Sequence, residues 1–169
     1  MVDMANMTTT GTYRNGRAAG VVLGAATVAM GLIAGSFYVF ACAVMPALAR
    51  SGDRTYVEVM RNTNEVIQNP VFFLSFLGAL VLTGIAAWQL RTRWVYAALL
   101  AYAAAFLITV AVNVPLNDAL ARPGDPTVLR ENFEAPWVAW NITRALLCTA
   151  ATGFLARALV VWGRARPQG

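Results

Sequence analysis

Four long stretches of this chain carry no charged residue, and they restrict its fold more than any other feature. They cover residues 18–49, 70–90, 94–117 and 145–156, and the last continues to 162 if Arg157 extends toward the lipid headgroups. An uncharged run of about 18 residues or more is long enough to cross a bilayer as a helix. With 59% hydrophobic and only 12% charged residues, the chain is predicted to be all-α, an integral membrane protein with a four-helix transmembrane bundle.

The residues outside these runs predict short flanking segments. Residues 1–17 are polar and rich in Thr and are expected to be a disordered tail, residues 18–162 to be the transmembrane domain, and residues 163–169 to be a short basic tail. The first run is too long and begins too late to be a cleaved signal peptide. We therefore expect it to remain as the first span.

An amphipathic segment is predicted between the first and second spans. If Asp53 caps a helix that runs into the second span, one face carries polar side chains and another supplies apolar positions. The polar face holds Asn62, Glu65 and Asn69, and the apolar positions are Tyr56, Val59, Met60 and Val66. This helix is expected to lie on the outer membrane face as a partly buried lid, with Asn64 and Gln68 as a second polar pair.

The distribution of arginine predicts the orientation. All 13 basic residues are Arg. If the N-terminus is cytoplasmic, that side holds Arg14, Arg17, Arg91, Arg93, Arg157, Arg164 and Arg166 against Asp3 alone. The positive-inside rule then favours a multi-pass protein with both termini cytoplasmic. Because the net charge of +5 is spread along short flanks, it does not indicate nucleic-acid binding.

The amino-acid composition gives little support for metal or redox chemistry. The chain has no His and only two Cys, and Cys42 and Cys148 lack the spacing of a redox motif, so we expect small apolar fillers, no metal and no cofactor. The first run also contains two GxxxG pairs in register, a smooth stripe that permits close helix approach and a possible homo-oligomer. The stripe consists of Gly20, Gly24, Gly31 and Gly35.

Amide side chains gather at the non-cytoplasmic end, in RNTNEVIQNP, NVPLND and WVAWNITR. Each group also has a structural explanation. Asn69 before Pro70 has the pattern of a helix N-cap, Asn113 and Pro115 could end the third helix, and Asn117 could shape a turn. We expect the fourth helix to open near Trp137, itself a candidate for the interfacial aromatic belt.

The fourth span carries a polar stripe. Trp137, Trp140, Asn141, Arg144 and Cys148 fall at helical spacing on one face, which cannot face lipid. A lipid-facing Arg at this depth would cost up to about 2.5 to 3.5 kcal/mol. Arg144 therefore needs a partner, and two remain open: a substrate, or a carboxylate in a buried ion pair. The candidate carboxylates are Glu65, Asp118 and Glu134.

Two motifs together indicate a resemblance to a known family. NxPLN (Asn113 to Asn117) followed by WxxWNxxR (Trp137 to Arg144), behind a first helix reading GLIAGSFYVFACAVMPAL, resembles the small four-helix membrane family that includes the fungal anthrone oxygenases. The resemblance covers roughly residues 18–161. It implies an enzyme of polyketide metabolism that oxidises the central methylene of an anthrone to the carbonyl of a quinone with molecular oxygen and without a cofactor.

The resemblance also implies roles for the polar residues. Arg144 would stabilise a phenolate, and Asn141, Asn113 and Asn117 would hydrogen-bond substrate oxygens or a peroxide, with Glu65 as the base. Trp137 and Trp140 would stack on the rings, and Asn64, Gln68 and Asn69 would complete the binding surface. The partners are then a lipophilic aromatic molecule, which enters from the outer half of the bilayer, molecular oxygen and membrane lipid.

Two functions of other classes remain open from the residues. A non-catalytic protein could bind or transport a lipophilic small molecule, although the breaks at Met45-Pro46 and Pro115 do not form the paired pattern of transporters. A structural subunit of a membrane complex could use Arg144 and the asparagines to hold helices together. Oxygen uptake with an anthrone would favour the enzyme.

Overall fold

The computed structural model describes residues 4–165, with side chains from Arg17 onward. These residues form seven α-helices and two π-helical turns, without a strand. In chain order they are α1 (Met4–Val39), a first π turn (Phe40–Val44), α2 (Met45–Leu48), α3 (Asp53–Val66), α4 (Pro70–Leu90), α5 (Arg93–Ile108), a second π turn (Thr109–Asn113), α6 (Val114–Ala121) and α7 (Pro126–Arg164). The predicted disordered tail and basic tail lie largely outside the residues whose side chains are described, and both stay predictions.

Four helical segments are long and apolar enough to cross a membrane, which confirms the predicted all-α membrane bundle. They are Arg17–Leu48, Pro70–Leu90, Arg93–Ala121 and Pro126–Arg164. Two boundaries differ from the sequence-based expectation. The third span does not end at Asn113 but continues through the second π turn to Ala121, and the fourth helix opens at Pro126, not near Trp137. Asp125 caps it by accepting hydrogen bonds from the backbone N–H groups of Thr127 and Val128.

Small residues form the contacts between the spans. α1 packs against α4 and α7, and α5 packs against the same two helices. Ala26, Ala79, Ala98 and Ala151 are fully buried at these contacts, and such small side chains let helices approach closely where lipid offers no hydrophobic driving force. The Tyr102 hydroxyl adds a polar link by donating to the Phe76 carbonyl at 2.7 Å. The bundle core is therefore tightly packed over most of its length.

The glycine stripe of the first span has two environments. At Gly20 an added Cβ would collide with the indole of Trp162, so this glycine permits a contact between α1 and α7 inside the bundle. At Gly24, Gly31 and Gly35 an added Cβ would meet nothing within 4 Å. A homo-oligomer through this face stays a prediction.

The amphipathic segment is α3, which we call the lid helix. It packs against α6 and α7 and buries Tyr56, Val57 and Met60. Of the expected apolar positions, Val59 and Val66 are instead exposed. The lid helix also ends at Val66 and is separate from α4, so Asn69 does not share its face. The apolar cluster beneath the lid helix comprises Met45, Tyr56, Val57, Met60, Leu120, Phe133 and Trp137.

Arg130 on α7 holds the start of the lid helix in place. Its guanidinium pairs with Asp53 at 2.9 Å and Glu134 at 2.6 Å, donates to the carbonyls of Ser51 and Ala49, and lies over the Tyr56 ring. Asp53 was expected to cap the lid helix, but the N-cap is Gly52. The Asp53 carboxylate instead accepts from the Thr127 hydroxyl and Arg130, and these hydrogen bonds lower its pKa below the ordinary value of 3.8.

Candidate functional site

Each π turn precedes a proline and contributes to the lining of one cavity, Phe40 from the first turn and Thr109, Val110 and Asn113 from the second. Met45 donates its backbone N–H to the carbonyl of Phe40, and Val114 donates to Thr109, so each bond spans five residues instead of four. The next residues, Pro46 and Pro115, have no N–H, and their rings would collide with a carbonyl of the preceding turn in a regular helix. The wider π turn accommodates each proline. Such turns occur often at functional sites.

A cavity of about 360 Å³ lies between the C-terminal end of the lid helix and all four spans. Its apolar lining includes Phe37, Phe40, Phe72, Phe73, Phe76, Phe106 and Trp137. Its polar lining comprises Ser36, Thr63, Asn64, Gln68, Thr109, Asn113, Asn117, Asp118, Asn141 and Arg144. The cavity thus combines a broad aromatic wall with convergent polar groups, the usual composition of a small-molecule site.

Three phenylalanines of the aromatic wall stack on one another. Phe72 stacks on Phe76 with centroids 5.6 Å apart and planes at 14°, and Phe76 stacks on Phe106 at 5.1 Å and 22°. Together these near-parallel rings give the cavity an apolar, aromatic side. Such a surface suits a planar ring system.

Arg144 lies at the polar side of the cavity with its side chain 4% exposed. Nη2 donates to Asn141 Oδ1 at 3.0 Å and Nη1 to the Thr109 hydroxyl at 3.2 Å. Asn141 in turn donates Nδ2 to the Phe37 carbonyl at 3.0 Å. The guanidinium carbon sits 4.2 Å from the centroid of the Phe37 ring and 5.6 Å from that of Trp137. Neighbouring residues therefore fix the position of Arg144, although all of its fixed partners are neutral.

No carboxylate pairs with Arg144 among the described residues. Glu134 pairs with Arg130, and Glu65 is exposed and lies outside the cavity lining. Asp118 does line the cavity, but it forms no ion pair with Arg144. The Nε atom of Arg144 also has no hydrogen-bond partner in the described structure. A guanidinium has five N–H donors, so several remain available to an anion in the cavity.

Asn113 is the second unusual group at the cavity. Its side chain is 1% exposed, yet neither its carbonyl oxygen nor its amide nitrogen has a partner within the described residues. The Nδ2 atom of Asn64, across the cavity on the lid helix, is likewise unpartnered. A buried polar group without a partner costs about 1 to 3 kcal/mol. These groups are therefore candidates for hydrogen bonds to a bound molecule.

The two indoles of the fourth helix have different environments. Trp137 is buried, lines the cavity and donates Nε1–H to Asn117 Oδ1 at 2.8 Å. It also stacks on Phe133 from the cluster beneath the lid helix. Trp140 is 40% exposed and lies outside the cavity lining. The expectation that the whole stripe avoids lipid is thus wrong for Trp140.

The predicted amides of the lid region divide between the cavity and local structure. Asn64 and Gln68 line the cavity, and Gln68 donates to the Asn64 carbonyl at 3.0 Å. Asn69 caps α4, with Oδ1 accepting from the N–H groups of Val71 and Phe72 at 3.0 Å, and it lies outside the lining. Its N-cap pattern therefore identified its position correctly.

Several lining residues were not anticipated from the sequence. Thr109 precedes Asn113 by one helical turn, and Phe72 precedes Phe76 by one turn, so spacing alone could have grouped each pair on one face. Ser36, Phe37 and Thr63 carry no comparable signal. The role of Asp118 as a carboxylate at the cavity, without an ion pair to Arg144, needed the structure.

Candidate metal ligands do not cluster in the described residues. No group of three or more His, Cys, Asp or Glu side chains that could hold a metal occurs there. The two cysteines are both free, with Cys42 exposed and Cys148 buried.

Comparison with known proteins identifies the family. The model of the family described as anthrone oxygenase matches residues 58–154, more than half of the chain. The matched region contains Asn113, Asn117, Trp137, Asn141 and Arg144. No curated protein and no solved structure matched the chain. The chain belongs to the anthrone oxygenase family.

Proposed function

We propose that this membrane protein is an oxygenase that converts the activated methylene of an anthrone-like polycyclic phenol to a carbonyl, giving a quinone. The observation that carries the proposal is the buried guanidinium of Arg144, which faces an aromatic-lined cavity without a carboxylate partner. An anionic ligand would neutralise this charge. Family membership supports the same reaction class.

The chemistry matches the groups at the cavity. Removal of a proton from the methylene leaves an enolate. Its negative charge lies mainly on the oxygen of the carbonyl at the opposite side of the central ring. One electron passes from this anion to molecular oxygen, and the resulting radical and superoxide combine into a carbon-bound peroxide. Loss of the remaining C–H proton and cleavage of the O–O bond then give the ketone and water. The reaction consumes one oxygen molecule and needs the protein to bind the rings, stabilise the oxyanion and move protons.

Each role has a candidate residue. Arg144, held by Asn141 and Thr109, faces the oxyanion, and Asn113 can accept from or donate to a phenol or peroxide. The aromatic wall and Trp137, itself held by Asn117, contact the rings. Asp118 replaces Glu65 as the candidate base, because Asp118 lines the cavity and Glu65 does not.

We further propose the orientation that the arginines predict, with both termini cytoplasmic. The lid helix and cavity then lie in the outer half of the bilayer. Arg17, Arg91 and Arg93 flank the opposite ends of the spans.

The test is oxygen consumption by the purified protein in lipid nanodiscs with an anthrone whose phenolic hydroxyls flank its carbonyl. We expect one quinone per oxygen consumed, at a rate above protein-free nanodiscs, and loss of this excess in Arg144→Gln and Asn141→Ala. Trp140→Phe is the matched control, because Trp140 lies outside the cavity. Equal rates with and without protein would refute the oxygenase, and tight binding without turnover would favour the non-catalytic binder.

A further inference from the structure

A second, apolar groove lies on the outer surface between α1 and α4. This open groove has a volume of about 880 Å³ and runs along the half of α4 that begins at Pro70. Ala25 and Ala29 contribute small side chains on α1, and Gly78 leaves a gap on α4. Val28 and Leu74 at this groove are 66% and 77% exposed. In a membrane this surface faces the acyl chains.

The groove adjoins the candidate site. Phe73 and Leu77 line both the groove and the cavity, and both side chains are partly exposed, at 41% and 47%. On α1 the lining passes from Leu32 in the groove to Ser36 at the cavity, one helical turn further. A molecule with its polar end at Arg144 could therefore extend past Phe73 and Leu77 into the groove.

We propose that the substrate enters sideways from the bilayer between α1 and α4, and that the groove accommodates an alkyl tail on the same molecule whose ionised head lies at Arg144. The proposal rests on the proposed function and narrows its substrate class to phenols that carry an apolar chain. The two ends of the path differ in chemistry as such a molecule requires. Arg144, Asn113 and Asn141 lie at the inner end, whereas the groove is apolar except for Ser75.

The groove determines whether a ligand with an alkyl chain can bind, but contact of the chain with the groove adds little to the binding affinity. A chain that moves from lipid into an apolar groove leaves one apolar environment for another, so there is no hydrophobic gain. An enclosed cavity without an outlet would instead reject a ligand with a long chain, because the chain would have to displace packed side chains. Tolerance of the chain is therefore the property to measure.

The experiment compares two probes that cannot be oxidised at the methylene. Both are dihydroxyanthraquinones with the hydroxyls beside one carbonyl, and one carries a linear octyl chain on the ring edge away from those hydroxyls. Binding is measured in nanodiscs, with protein-free nanodiscs as the correction for partition into lipid. Gly78→Leu fills the groove, since an added Cβ there meets nothing within 4 Å. Gly84→Leu is the matched control, on the same helix with the same open space but outside both linings.

We expect the native protein to bind the two probes with Kd values within about threefold of each other, and Gly78→Leu to weaken only the octyl probe, by about tenfold or more. Leu74→Trp, which narrows the groove from its exposed edge, should act in the same direction, and Gly84→Leu should bind as the native protein does. The groove proposal is overturned if the plain probe binds and its binding depends on Arg144, but the octyl probe is rejected. It is also overturned if the groove variants affect both probes equally. In either case the site at Arg144 remains. If neither probe binds, both proposals fail.

Discussion

The guanidinium of Arg144 on α7 lies against the face of the Phe37 ring on α1, with the guanidinium carbon 4.2 Å from the ring centroid. A cation over a ring face is attracted by the ring quadrupole, and this contact strengthens when water is excluded. It does not neutralise the charge as a carboxylate would. The stability and the function of this protein should therefore respond in opposite directions to changes at Arg144.

Arg144→Met should keep or raise the thermal unfolding temperature while it removes turnover. Removing a buried charge that has no carboxylate partner relieves its desolvation cost, which offsets the hydrogen bonds lost to Asn141 and Thr109. Loss of an oxyanion donor, in contrast, reduces kcat by about 100-fold or more. Thermal unfolding in nanodiscs and oxygen uptake measure the two effects. A marked loss of stability together with unchanged turnover would contradict the assignment.

Asn113→Leu should also separate stability from function. Neither polar atom of Asn113 has a partner in the described structure, so an apolar side chain of similar shape removes a cost of about 1 to 3 kcal/mol without breaking a bond. We expect an unfolding temperature at or above the native value and at least a tenfold fall in kcat/KM. Native kinetics in this variant would exclude Asn113 from the site.

Asn69→Ala provides the opposite case among the asparagines. Its side chain caps α4, and loss of such a cap costs about 1 kcal/mol. We expect a lower unfolding temperature and an unchanged KM for the anthrone. An altered KM with native stability would place Asn69 in the site instead.

The hydrogen bond between Trp137 and Asn117 should appear as an energetic coupling. Trp137→Phe removes the donor and Asn117→Leu removes the acceptor, so the double variant should lose less stability than the two single losses added together, by about 1 kcal/mol. Chemical unfolding of the four proteins measures this difference. Additive losses would mean that the hydrogen bond contributes little to stability.

The lid helix should loosen in acid. The pKa of Asp53 is lowered by the Thr127 hydroxyl and by Arg130, so its bonds stabilise the fold fully above the ordinary value of 3.8 and are lost as the pH falls through the lower folded value. The protection factors for hydrogen exchange of residues 53–66, which are corrected for the pH dependence of the intrinsic exchange rate, should therefore fall below about pH 4. Asp53→Asn should show faster exchange already at neutral pH, and a native exchange rate in this variant would contradict the role of the carboxylate.

The sequence predicted the bundle because uncharged length is a direct requirement of a membrane span. It predicted the buried side of the fourth helix less well, since Trp140 lies about 60° from the middle of the stripe at about 100° per residue. A small rotation of the helix turns that edge outward. The stripe defined by Trp137, Asn141, Arg144 and Cys148 is buried.

The absence of a carboxylate partner for Arg144 among the described residues could not be predicted, because three carboxylates were expected on the same side of the membrane. One of them could have been removed from consideration by spacing. Glu134 follows Arg130 by four residues, the separation of a helical ion pair, and the structure pairs these two. The positions of Glu65 and Asp118 depend on how the lid helix and α6 pack, which no local pattern specifies.

The number of residues in each π turn determines how the helix after it is rotated, and so which of its side chains face the cavity. Each contains one residue more than a regular helix needs to cover the same rise, and a single deletion in either turn would rotate all that follows by about 100°. Deletion of Ala111 or Val112, neither of which lines the cavity, would swing α6, with Asn117 and Asp118, away from it. In both spans the alignment of the cavity-lining side chains therefore depends on the number of residues in the π turn. Related chains that keep every polar side chain but lack this extra residue would have an interior of different shape.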